Sequence, residues 1–332
     1  MLVRNIDDVK THINTNESFA FDQIKPYTEA IQRNLINPLF SEAFIDALDA
    51  KYNDVSPVLT DNEEKLIALL QKAIIYIAYG ENLSAFMVSA TNQGLHVIKT
   101  DTKLPLFREL RIEYSDIITE LGYSAIEDAA KILFKNAEAE EFDLFQNSEE
   151  FEHMYRRFIY DAVTFNKYYP IAYSRRTFEA IKTAMDEVEQ FIIRPLLGDD
   201  YYDNLLEKIV DDDLIADDRL LLPLIRKAVA NLTVAVAAQK FRAKATSKGW
   251  VIISQESTGT EYSQNKMPVS NAEIMSVSQP AQLAGNGYIN ALKDYLFNNA
   301  DKFPLYKASS AYTDQLAESN PLNTTENKGV IL

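Results

Sequence analysis

The chain has 332 residues, 47% of them hydrophobic, with 17 Phe and 18 Tyr against 9 Gly and 11 Pro; that is apolar material for about two cores, and it excludes global disorder. A formal net charge of −16 excludes a broad basic face for gripping nucleic acid, which needs Lys and Arg at the phosphates. With no cysteine, disulfide frameworks, thiolate nucleophiles and Cys-containing metal sites are excluded too.

From the start, Met1 to Asp7 carries no basic stretch followed by an apolar core, so a secretory signal is not expected. Phe21, Ile24, Ile31 and Leu35 fall on one face at helical spacing. Pro38 is expected to end that helix, since proline disfavours the α conformation of the residue before it. Ser41 offers an N-cap for a short helix through Phe44 and Leu48, followed by a polar loop from Lys51 to Thr60. Thr60 and Glu63 then stand three apart as a capping box. They open a run from Glu64 to about Ser89 that is apolar on most faces and is expected to be the buried centre of its domain. Its most apolar part, Lys72 to Met87, is too interrupted to span a bilayer, which fits a soluble protein made in the cytoplasm. Gly94 reads as a left-handed stop. The β-branched run at Val97 and Ile98 reads as a brief extended segment. Further helices are expected from about Leu104 to Leu121 and from about Ser124 to Ala137. The segment Phe142 to Phe145 packs back on the bundle, and a Tyr/Phe-rich helix from Glu149 to Asn166 joins the halves.

The second half repeats the first, and such repeats take precedence over single motifs. Shifted by 157, residues 21–48 lie over 178–205 with eight identities in 28 positions, among them Ile36/Ile193, Pro38/Pro195 and Leu39/Leu196. Shifted by 155, residues 66–98 lie over 221–253 and match at Lys72/Lys227, Phe86/Phe241 and Gly94/Gly249. A third block pairs Leu133 with Leu296 and Phe142 with Phe303. The expected fold is therefore mainly all-α: two tandem helical bundles, each with a long buried central helix and at most a short β segment. Residues 1–150 form the first, 151–177 an aromatic linker, 178–318 the second, and 319–332 an arm that is flexible alone or ordered by a partner. Segment 254–283, rich in Ser, Thr, Gln and Asn, reads as an inserted polar loop and a candidate contact surface.

Few residues carry chemistry. His12, His96 and His153 are the only histidines, and none is spaced to share a metal with another. The acidic clusters at 138–143 and 211–218 lack the glycine and spacing of a calcium loop, and read as solvated or helix-capping charge. No phosphate-binding glycine loop and no serine elbow occurs. Gly285 and Gly287 read as a turn before a helix. No catalytic residue, cofactor or metal is expected. The candidate interaction residues are Arg156, Arg157, Arg175 and Arg176, which flank a Tyr-rich stretch; Trp250, either a buried or an interface anchor; and Tyr262 and Met267 in the inserted loop. Arginines interleaved with aromatics describe either a single-strand stacking surface or a packed linker.

The string from Ile36 to Leu48 with Gly94, repeated from Ile193 to Leu205 with Gly249, resembles phage and prophage proteins of Bacteroidetes-type genomes. It is similar to the all-helical head–tail connector, or adaptor, proteins of tailed bacteriophages. The resemblance covers about three quarters of the chain and rests mostly on core and turn residues. Connectors of this kind commonly hold one such domain, whereas this chain holds two. The resemblance implies a virion protein, assembled in the host cytoplasm, that docks under a portal and forms a homo-oligomeric ring beside other connector or tail proteins, without membrane or catalytic role. A cytoplasmic protein-binding scaffold is the other expected function.

Overall fold

Thr60 does what its spacing predicts. Its hydroxyl accepts from the Glu63 N–H, and the Glu63 carboxylate accepts from the Thr60 N–H at 2.9 Å; such a cap contributes about 1 kcal/mol. It opens the central helix of the first half, which buries Leu66, Ile67, Leu70, Ile74, Ile75 and Ile77.

In a computed structural model, which describes residues 1–14, 19–91, 94–97, 107–136, 139–241, 243–246, 249–252 and 271–319, the chain divides into two units. Unit 1 comprises Met1–Tyr155 with Ser174–Arg176, and unit 2 comprises Arg156–Tyr173 with Thr177–Leu332. Unit 1 runs α1 (Ile6–His12), α2 (Phe21–Ile31), a π-helical turn (Gln32–Ile36), α3 (Asn37–Phe40), α4 (Glu42–Tyr52), α5 (Asp61–Glu81), the antiparallel hairpin β1 (Val88–Thr91) and β2 (Gly94–Val97), α6 (Arg108–Lys135), α7 (Asp143–Gln146) and α8 (Glu149–Tyr155). The second half repeats this order element by element: α9 (Ala162–Tyr168), α10 (Arg175–Val188), a π-helical turn (Glu189–Ile193), α11 (Arg194–Leu197), α12 (Asp199–Val210), α13 (Ala216–Phe241), the hairpin β3 (Ala243–Thr246) and β4 (Gly249–Ile252), α14 (Asn271–Asn298), α15 (Pro304–Ala308) and α16 (Ser310–Ser319). The fold is helical and duplicated, as the sequence predicts.

Each unit is built around a pair of long helices, α5 with α6 and α13 with α14. Glycine sets how closely they approach. A Cβ on Gly122 would stand 2.6 Å from Ile77 Cγ1, and one on Gly285 would stand 2.6 Å from Leu232. The two contacts are equivalent: 77 and 232 differ by 155, 122 and 285 by 163. Gly122 and Gly285 are thus helix-interior residues that admit a neighbouring helix, and not turns. The expected break near residue 122 and the turn at Gly285 and Gly287 are both corrected: α6 and α14 run unbroken for 28 residues each. The expected polar loop 254–283 is corrected over 271–283, which is helical; 253–270 lie outside the described residues.

Other differences have physical causes as well. Pro38 and Pro195 do not end their helices. A proline ring clashes with the carbonyl four residues back, and the π turns change the register just before it: the Asn37 N–H bonds Gln32 O, and the Arg194 N–H bonds Glu189 O, five residues back in each case. The helices stop at Ser41 and Gly198, which have φ of 69° and 81°. Ser41 is therefore no side-chain N-cap; it occupies a backbone conformation that suits glycine. Helix α5 ends at Glu81, short of Ser89, because the chain turns through Ala85–Met87 into the hairpin. Gly94 and Gly249 open the second strands, opposite Thr91 and Thr246, so the extended runs pair locally with the residues just before them.

The expected linker is corrected too. Glu149 to Asn166 is not one helix: α8 completes unit 1, and Arg156 to Tyr173 opens unit 2. Asn5 caps α1 and Asp161 caps α9, while Leu2, Val3, Phe158 and Ile159 are all buried. Residues 156–173 are thus the counterpart of the first residues of unit 1. The Ala216–Lys240 stretch of α13 is long and apolar enough to cross a membrane by length and composition, and 67% of its most apolar window is buried inside the protein; it is the core helix of unit 2. Of the expected arm, Ser319 closes α16 and 320–332 lie outside the described residues.

Candidate functional site

Buried polar groups occupy two equivalent places in each unit. At the first, a backbone residue is bracketed. In unit 1 the Leu2 N–H donates to Gln32 Oε1 at 3.0 Å, and Leu2 O accepts from Gln71 Nε2 at 2.8 Å. In unit 2 the Phe158 N–H donates to Glu189, and Phe158 O accepts from Arg226 Nε at 2.8 Å. The π turn supplies one partner and the central helix the other. A buried peptide group left unpaired is costly, so this bracket fixes where the chain joins each bundle.

Unit 2 adds charge at that place. Glu189 and Arg157 are both nearly fully buried. Arg157 Nη2 lies 3.4 Å from Glu189 Oε2 and also pairs with Asp186. Burial pushes the Glu189 carboxyl up from its usual range, and Arg157 pulls it back. The Glu189 and Asp186 charges hold Arg157 firmly protonated against its burial.

The second place is the start of each central helix. Glu63 is buried and takes Lys51 Nζ at 2.6 Å; Asp218 is buried and takes Lys208 Nζ at 2.8 Å. In unit 2, Tyr201 stands where unit 1 has Phe44, and its hydroxyl donates to Asp218 at 3.2 Å. Burial, then the Asp218 charge, pushes the Tyr201 hydroxyl far up from its usual pKa. Both groups sit in the positive first turn of a helix. Beside Glu63 lies a surface cleft of about 130 Å³ lined by Phe44, Leu48, Lys51, Glu141 and Leu144 among others. Ligand pockets run to about 300–1,000 Å³, so this cleft is smaller than a drug-sized site. Among the described residues, no group of three or more His, Cys, Asp or Glu is placed to hold a metal ion.

Among the described residues, the candidate arginines each have partners of their own. Arg157 is committed to the pair just described, and Arg175 is 1% exposed with Nη1 2.9 Å from Glu127 Oε2. These two are core residues, which corrects their reading as surface contacts. Arg156 pairs with Glu207 at 3.1 Å, and the Arg176 guanidinium lies 6.0 Å from the Tyr123 ring centroid. Arg156 and Arg157 belong to unit 2, and Arg175 and Arg176 to unit 1. Trp250 is in β4, paired with Ala245. Tyr262 and Met267 lie outside the described residues.

What sequence reasoning missed is an exposed stripe on α6. Phe107 at its N-cap and Leu110, Tyr114, Ile117 and Leu121 along it are each 41–76% exposed. Their alternating spacing of three and four was legible. It was hidden because the helix was expected to end at Leu121, before Gly122, and because apolar periodicity is read first as core.

A model of a family of unknown function, DUF6712, matches residues 36–154 and again 193–315. The chain belongs to this family. The two DUF6712 matches begin at Ile36 and Ile193, inside the π turns, and each takes in one α4-to-α7 or α12-to-α15 set. The bracketed opening segments precede both. No curated protein and no solved structure matches the chain.

Proposed function

We propose that this DUF6712 protein is a virion structural protein: a head–tail connector or ring component that assembles under a portal in the host cytoplasm and acts by docking, without catalysis. The observation that carries the reading is how the chain uses its polar and apolar groups. The buried carboxylates Glu63, Asp218, Glu189 and Glu127 are each paired with a Lys or an Arg. Large apolar side chains, meanwhile, stand exposed on α6. Surfaces of that kind mark interaction sites. The likeness of the Ile36–Leu48 and Ile193–Leu205 strings to connector proteins supports the same reading.

Light scattering and negative-stain imaging of the purified chain, alone and with a portal protein, test it. Closed rings, or a mass that rises with concentration or with added portal, are expected. A monomer under both conditions sinks the ring and leaves the second reading, a protein-binding scaffold, which the same exposed face on α6 also favours.

A further inference from the structure

Unit 2 serves as an internal control for unit 1. At an offset of 163, helix α14 has the same length and the same glycine contact as α6. Helix α14 exposes Met275 and Leu283, but it does not repeat the stripe of α6 at the equivalent positions. Where unit 1 has Leu110, Tyr114, Ile117 and Leu121, unit 2 has Glu273, Val277, Pro280 and Ala284. The stripe is therefore not needed to build the fold.

A second feature of α6 is equally confined to unit 1. Glu109, Glu113, Asp116 and Glu120 follow the same three-and-four spacing, and at about 100° per residue they line one edge of the stripe. None of them is in an ion pair among the described residues. The equivalent residues of α14 are Ala272, Ser276, Gln279 and Leu283, so no carboxylate remains there. Apolar spine and acidic edge occur together in one unit and are missing together in the other.

Apolar residues alternating at three and four, with charges flanking them, make one half of a coiled-coil seam. Arg111 stands on the opposite edge, beside Leu110, so the four carboxylates set the sign of one flank, and that sign selects the other half. A second α6 brings the same carboxylates to the seam, on a chain that already carries a net charge of −16. A helix with Lys or Arg beside its spine neutralises them, and opposite charges at these positions set partner choice. We infer that the α6 face from Phe107 to Leu121 is a docking site for a basic amphipathic helix of another protein. The inference goes beyond the ring reading and does not depend on it: ring formation is read from particle mass, and this site from peptide binding.

The test uses the full chain and a labelled synthetic 28-residue helix with Leu and Ile in a heptad spine and Lys at the flanking positions. Two controls carry Glu at the flanks, or the same composition with the spine shuffled. Fluorescence anisotropy is expected to show the Lys-flanked helix binding at least about 10-fold more tightly than either control, a difference of one decade in Kd. L110S/I117S, at two exposed positions, is expected to remove that binding with its melting temperature unchanged. E113K/E120K is expected to reverse the preference, weakening the Lys-flanked helix and strengthening the Glu-flanked one. Equal binding of the shuffled control overturns the inference, as does a charge swap without effect. It is also overturned if wild type self-associates and L110S/I117S does not, which makes a second copy the occupant. Absence of binding, with L110S/I117S melting several degrees lower, overturns it in favour of cover from within the chain.

Discussion

The two units use one architecture and load it differently. Unit 1 brackets Leu2 with two neutral amides, Gln32 and Gln71, whereas unit 2 brackets Phe158 with Glu189 and Arg226 and adds Arg157. Unit 1 places serine at the positive-φ stop, whereas unit 2 places glycine. Unit 1 exposes an apolar stripe on its second long helix, whereas unit 2 replaces most of it with polar or small residues. What survives in both is backbone geometry: the π turn, the hairpin, the long helix pair and its glycine contact. The fold therefore constrains where peptide groups are satisfied and helices approach, and tolerates several side-chain solutions to the same problem.

The largest expected effect separates the brackets. Arg157→Ala leaves Glu189 buried without its main counter-ion and is expected to destabilise unit 2 by about 3–5 kcal/mol. Gln32→Ala in unit 1 removes one neutral acceptor and is expected to cost about 1–3 kcal/mol. Urea unfolding of both variants measures the gap, and equal losses would show that the charge in unit 2 adds nothing to its bracket.

Next come the glycines. Gly122→Val and Gly285→Val each force a side chain into the opposite helix and are expected to cost about 1–3 kcal/mol by overpacking. The losses should be similar, and a neutral result at either site breaks the claimed equivalence of the two contacts.

A smaller effect of opposite sign is expected at the helix stop. Ser41→Gly relieves a non-glycine residue at φ 69° and is expected to raise stability by about 1 kcal/mol. The reverse exchange, Gly198→Ser, puts a Cβ 2.5 Å from Ser309 Cβ as well as straining the backbone, and is expected to lower the melting temperature.

The smallest difference is in pH response. His12 is half-buried against Tyr76, and burial, then the Lys72 charge, lowers its pKa. Because the folded state prefers the neutral ring, this contribution is present above the usual histidine pKa of about 6.5 and is lost as pH falls through the depressed folded value. The counterpart in unit 2 is Tyr168, so no imidazole stands there. His12→Gln is therefore expected to flatten part of the stability loss as pH falls below about 6.5, as read from melting curves. An unchanged pH profile would remove His12 from the account.

Much of this fold was legible in the residues. The repeat was visible in Ile36/Ile193, Pro38/Pro195 and Gly94/Gly249, and the capping box at Thr60 and Glu63 marked the start of α5. The opening segments were not legible, because Leu2 and Phe158 share only burial and Asn5 and Asp161 only a capping role. Proline and glycine misled for a common reason: their local preferences are weak beside a tertiary contact. At Pro38 the π turn absorbs the missing N–H, and at Gly122 the neighbouring Ile77 fills the space a side chain would take. The candidate arginines show the same limit, since the sequence gives their charge but not whether a carboxylate is already beside them.

By itself, the sequence determined that this protein is helical, duplicated and acidic, because periodicity, internal identity and composition are properties of the chain alone. Only the tertiary structure decided that the helices pass unbroken through Gly122 and Gly285, that the duplication extends back to Leu2 and Phe158, and that one helix face is left uncovered. Those facts depend on which atoms stand opposite a given residue, and a linear pattern records the residue without its neighbour.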